Sequence, residues 1–174
     1  MQGNTAAMSN VVLSLASGQT GVSASGATNS SWTVRYMKVV GGDVGLQASA
    51  GATLAFNNID FGAVTYHMLA LSNATLVCTG NYTISGSAVV HFFLQVAGVI
   101  MVSGRTITIT GTPAFSSAFL NAQSGSACSI VSNTFSGSAT GARYNVTGNS
   151  VASTGAATLP GGTAGTTATG GQYL

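Results

Sequence analysis

Apolar residues along this chain alternate with polar ones in short runs, and Gly, Asn or Ser closes nearly every run. NNIDFG (57–62), GNYTISG (80–86), GRTITITG (104–111) and SNTFSG (132–137) share one form. Each has a polar or glycine lead-in, one or two bulky apolar residues in alternation, and a closing glycine. Alternation of period two over so few residues predicts strands, and the lack of a 3.6-residue repeat argues against helices.

The runs recur at a regular interval. With Phe61, Ile84, Ile109 and Phe135 taken as equivalent, the steps are 23, 25 and 26 residues. A second series, GATLAF (51–56), NATLVC (73–78) and GVIMVS (98–103), places Leu54, Leu76 and Met101 at steps of 22 and 25. A third comprises VTYHMLAL (64–71), VVHFFLQV (89–96) and weaker matches around Phe119-Leu120 and ARYNV (142–146). Three short strands per coil predict a right-handed parallel β-helix with three sides. Each strand pairs with its equivalent about 4.8 Å along the axis. A single coil cannot bury its apolar face alone, so stacking is obligatory. The alternative is an antiparallel β-sandwich with regular turns.

Four coils fit between residues 51 and 150. Residues 1–50 hold two strand-like segments, VVLSLASG (11–18) and WTVRYMKVV (32–40), expected to form a first irregular coil or a cap. Residues 151–174 are a Gly/Thr-rich extension, ordered only if it lies along another surface.

Composition sharpens the picture. The 174 residues are 45 % hydrophobic and only 3 % charged, where ordinary soluble domains carry about 25 % charged residues. The basic residues, Arg35, Lys38, Arg105 and Arg143, are scattered and the net charge is +2. Such a chain lacks the phosphate-neutralising track that nucleic-acid binding needs. No basic start or apolar run of a signal peptide follows Met1, which is equally compatible with a fragment boundary. The longest apolar stretch, 88–102, contains His91, Gln95 and Gly98 and falls short of the roughly 20 residues that span a bilayer. No membrane insertion is expected. A surface so poor in charge has weak protection against self-association. Hydroxyl and amide groups, sister chains, or both must cover it.

The ending LPGGTAGTTATGGQYL (159–174), preceded by TFSGSATGARYNVTGNSVASTG (134–155), resembles the C-terminal ends of phage and prophage tail proteins. Those proteins join a Gly/Thr-rich β-helical segment to a terminal signature of this kind. The resemblance implies a trimeric fibre or spike at the virion surface, outside the cell, assembled with other virion proteins. It implies host attachment through bacterial surface polysaccharide, and glycan cleavage in some relatives. No family catalytic motif maps onto numbered positions here. An architectural capsid or tail decoration, or a secreted adhesin fragment, fits the same residues.

Candidate chemistry is sparse, and no enzyme activity or cofactor is expected. Glycan hydrolysis needs two carboxyl groups at a set separation, and the only acids are Asp43, in a turn after Gly41-Gly42, and Asp60, on an outward strand position. His67 and His91 lie one coil apart and are expected to stack on one face, either as outward or interfacial imidazoles or as weak candidates for a metal across a trimer axis. Two ligands per chain are too few for a metal site by themselves. Trp32, Tyr36, Tyr66, Tyr82 and Tyr144 are the aromatics that could stack on sugar rings if they face outward, each having an apolar face and a polar tip, with core or interface packing the alternative for any one of them. TITITGT (106–112) resembles the Thr-x-Thr ladders of ice-binding solenoids, but the neighbouring coils offer Tyr82-Thr83-Ile84 and Thr134-Phe135, which interrupts the array. Cys78 and Cys128 lie two coils, about 9–10 Å, apart along the axis. That is too far for a disulfide, so both are expected to be small buried hydrophobes.

Overall fold

The computed structural model describes residues 11–26 and 31–174. Three ladders of parallel strands run along it. The first contains the N-terminal parts of β3 (Ser31–Gly41) and β5 (Thr53–Phe61), then β7 (Thr75–Cys78), β10 (Val99–Met101), β13 (Ala127–Ser129), β16 (Val151–Ser153) and β18 (Gln172–Tyr173). The second contains β1 (Val12–Leu15), the C-terminal parts of β3 and β5, β8 (Tyr82–Ile84), β11 (Thr106–Ile109) and β14 (Thr134–Ser136). The third contains β2 (Thr20–Ser25), β4 (Val44–Ser49), β6 (Tyr66–Leu71), β9 (Ala88–Gln95), β12 (Ala114–Ala122), β15 (Thr140–Val146) and β17 (Thr166–Thr167). The chain is an all-β parallel solenoid of about seven turns and not an antiparallel sandwich. Strands before residue 51 and after residue 150 continue the same ladders as those between.

The first and second ladders meet at a sharp corner. β3 and β5 run straight through it, with Tyr36 and Asn58 in the left-handed region at φ 58° and 48°. Asparagine tolerates that backbone well; tyrosine does so at a cost. In later coils the corner opens into loops, and asparagine side chains replace the lost ladder bonds. Asn81 Oδ1 accepts from the Thr106 amide at 2.9 Å, and Asn133 Oδ1 from the Arg105 amide at 2.8 Å.

Inward residues of the three ladders fill the bore. Leu54, Leu76 and Ile100 stack from the first ladder, Met37, Ile59, Tyr82 and Ile107 from the second, and Leu46, Met68, Phe92 and Leu120 from the third, all buried. Burying each such side chain contributes about 1.5–3 kcal/mol, so the bore is the main source of stability. Cys78 and Cys128 are free and buried within it.

Two registers differ from the sequence reading. Leu76 pairs with Ile100, so Met101 points outward and is 46 % exposed. Phe135 pairs with Ile107 instead of Ile109. The pleat explains the first, while the second is a shift of two residues that keeps the same faces inward and comes from the longer loop between those coils. A slip of one residue turns every side chain of a strand to the other face, so inward alternation fixes the pairing. The corners absorb differences in coil length. Along the first ladder, Leu54, Leu76, Ile100, Cys128, Ala152 and Tyr173 follow one another at steps of 22, 24, 28, 24 and 21 residues.

Candidate functional site

The most concentrated polar chemistry lies inside the bore. β6 supplies His67 and the next coil supplies His91 on β9 and Tyr82 on β8. His67 Nε2 is 2.9 Å from the Gly62 carbonyl, His67 Nδ1 is 2.8 Å from His91 Nδ1, and His91 Nε2 is 2.9 Å from the Tyr82 hydroxyl. The proton positions follow from one end. A carbonyl oxygen only accepts, so His67 carries its proton on Nε2 and accepts at Nδ1. His91 then donates from Nδ1 and accepts at Nε2, and Tyr82 donates its hydroxyl proton. With both rings neutral, every ring nitrogen is satisfied.

Aromatic rings enclose this string. Phe61 lies 5.4 Å from His67 and 5.6 Å from His91 between centroids, and Phe119 stacks on His91 at 4.8 Å. Both imidazoles are fully buried. Burial lowers the His67 pKa from 6.5 to about 4, partly opposed by the Gly62 hydrogen bond. It lowers His91 well below its ordinary value, with His67 adding to the effect. Burial also raises Tyr82 well above 10.0. The pair does stack one coil apart, but inward, where the second chain of a symmetric assembly has no access. Among the described residues, no group of three or more His, Cys, Asp or Glu side chains could hold a metal ion.

The carboxylates are engaged separately. Asp43, in its exposed turn, accepts from the Gly18 amide at 3.0 Å. Asp60 is not the solvated strand residue that its position suggested. It is 8 % exposed, and its Oδ2 lies 3.0 Å from Lys38 Nζ. Lys38 lies beside it because the two residues are Cα partners in adjacent coils. Lys38 Nζ also donates to Ser85 Oγ at 2.9 Å, while Asp60 Oδ1 has no partner.

The five candidate aromatics are scattered. Tyr82 is in the bore, 1 % exposed, and cannot meet a sugar. Tyr144 is held against the core, with Tyr173 stacked on it at 3.7 Å and 9° and Gly165 packed against its ring. Tyr66 lies half-buried on the outside of the third ladder, against Phe93 at 5.0 Å. Tyr36 is half-buried at the corner, with the Arg35 guanidinium 6.0 Å from its ring centroid. Trp32 is 61 % exposed and lines a depression of about 390 Å³ with Val22, Val34 and Leu54.

A feature that the sequence reading set aside is present on the second ladder. The true register places Thr134 beside Thr106, Ser136 beside Thr108, and Thr108 beside Thr83. The hydroxyl array therefore continues through three coils. Its signal was in the TITIT run and in the alternation of Thr134 and Ser136 about Phe135.

The fold and these surfaces define a parallel β-solenoid with a sealed polar string and a hydroxyl-rich exterior. Comparison with family models, curated proteins and solved structures returns no match.

Proposed function

We propose that the chain is a structural and adhesive segment of a phage-tail-type fibre or spike. In this reading it is a homo-oligomer, with three copies favoured, that stands on the virion outside the cell and touches bacterial surface polysaccharide. The observation that carries it is the division of polar groups between inside and outside. The histidines, Tyr82 and the cysteines are shut in the bore, and the two carboxylates are bound to Lys38 and to the Gly18 amide. The exterior is left with hydroxyls, amides, a few apolar rings and scattered arginines, which suits contact better than catalysis. The C-terminal resemblance points the same way.

The third ladder offers the surface for sister chains. Tyr66, Leu69 and Phe93 project outward there and are half-buried, with Leu69 and Phe93 paired across adjacent coils. Contact between copies would cover them, and each copy would add to a multivalent grip on a repeating glycan.

The test uses the purified full chain. Light scattering is expected to give an oligomer at micromolar concentration, Phe93→Lys is expected to lower its mass toward the monomer, and the oligomer is expected to sediment with intact bacterial cells. A stable monomer that ignores cells would overturn the reading. Release of reducing sugar from cell-surface polysaccharide would replace it with a glycan-cleaving spike.

A further inference from the structure

At its C-terminal mouth the bore opens into a cleft. Tyr144 continues the inward column of Leu120, and Tyr173 continues that of Ala152. Their rings stack at 3.7 Å. Arg143 stands beside them. Ala118 pairs with Ala142 and Leu120 with Tyr144, so Arg143 follows Phe119 in the column that holds His67 and His91. With residues of the 154–165 link, these three side chains line a space of about 270 Å³.

The walls of the cleft are tied down by hydrogen bonds. Thr154 donates from its amide and its hydroxyl to the Leu174 carbonyl at 2.6 and 3.0 Å, and the Arg143 amide donates to the Thr163 carbonyl at 3.1 Å. A Cβ on Gly161 would sit 3.1 Å from Arg143 Cγ, so the link packs down on the arginine stem. Arg143 Nε is shut in with no acceptor. Among the described residues no carboxylate pairs with this guanidinium. The two aspartates are held by the Gly18 amide and by Lys38, toward the other end of the solenoid. A positive charge is thus fixed at the mouth without compensation. Around it, Ala156, Ala157, Ala164 and the two tyrosine rings make the lining largely apolar.

We infer that this cleft binds a small organic carboxylate, its two oxygens on the Arg143 guanidinium and its apolar body against the tyrosines and alanines. A guanidinium presents parallel N–H donors in a planar fork that matches the two oxygens of a carboxylate. With Nε turned away, the two terminal nitrogens form that fork. Partial burial strengthens the contact, because water screens it less. The space lies just below the range of about 300–1,000 Å³ that ligand pockets occupy, so the acid must be small, of the size of one ring. A tetrahedral, strongly hydrated anion such as sulfate suits the charge but not the apolar walls. Such a site holds whether or not the chain is adhesive.

The experiment is an amide-resolved NMR titration of the full chain with benzoate, with benzamide as the uncharged analogue of the same shape and sulfate as the anion without an apolar body. Benzoate is expected to bind with a Kd of about 1 mM or tighter, as befits so small a ligand. The shifts should gather at Tyr144, Ala157, Ala164 and Tyr173. The Trp32 indole, in the first coil beside Leu54, should stay still. Arg143→Met keeps the length of the stem and removes the charge; affinity is expected to fall about tenfold to a hundredfold, the value of hydrogen bonds to a charged group. Arg143→Lys keeps the charge without the fork and is expected to fall between the two. A dispersed spectrum shows that each variant is folded. If the Met variant does not fold, the contrast between benzoate and benzamide on the wild-type chain still decides. Any of four results would overturn the site: no shifts with benzoate up to about 10 mM, ten times that Kd; shifts centred elsewhere; benzamide or sulfate binding as tightly as benzoate; or a folded Met variant that binds benzoate as wild type does.

Discussion

Acid should weaken this solenoid through two residues. His67 and His91 are neutral in the bore, and protonating either puts a charge where no water or carboxylate can meet it. Burial depresses the His67 pKa from 6.5 to about 4. The group therefore binds fewer protons folded than unfolded. Its stabilising effect is fully present above pH 6.5 and is lost as pH falls from there toward 4. Linkage with these two values gives a loss of about 2 kcal/mol between pH 7 and pH 5 from His67 alone. His91 shifts in the same direction and adds to it. The chain is unusually clean for such a test. It has two aspartates, no glutamate and only these two histidines. Urea unfolding followed by circular dichroism at several pH values between 7.5 and 5 is the assay. The extrapolated stability should fall by about 2 kcal/mol or more, and the melting temperature by roughly 4–8 °C. A flat profile across that range would refute the neutral, buried string.

Further consequences are open to measurement. Tyr82→Phe removes the donor to His91 Nε2 and should cost about 1–3 kcal/mol in urea unfolding. His91→Leu leaves both His67 Nδ1 and the Tyr82 hydroxyl without partners, so it should cost more than Tyr82→Phe at pH 7.5. The thiols should resist iodoacetamide at pH 8 in the folded chain and react after unfolding, because burial pushes Cys78 up to about 11 and Cys128 higher still; rapid native alkylation would contradict the sealed bore. Gly141→Ala should destabilise by roughly 2–4 kcal/mol, since Gly141 has φ 100° and a Cβ there would run into the Phe115 carbonyl oxygen; a neutral effect on the melting temperature would count against the register of β12 with β15.

The chain's local pattern determined a good deal. Period-two alternation marks strands because successive side chains leave a pleated backbone on opposite sides, and this holds whatever the strand later packs against. A coil of about two dozen residues was legible for the same reason, since Leu54 and Leu76 are a true pair. So was the spacing that sets His67 and His91 one coil apart. Tertiary structure decided what alternation leaves open. Alternation does not say which of two faces is inside, so imidazoles expected to face outward or an interface, and a phenol whose side was left open, proved to be in the bore. They are tolerated there because they satisfy one another, a condition that no single residue's character reveals. Nor does alternation count residues through a corner. The steps of 28 and 21 residues come from loops that stretch or shrink while the ladders stay in register. One such step moved Phe135 from Ile109 to Ile107, a shift of two residues that changes the partners along the ladder and leaves the same faces inward.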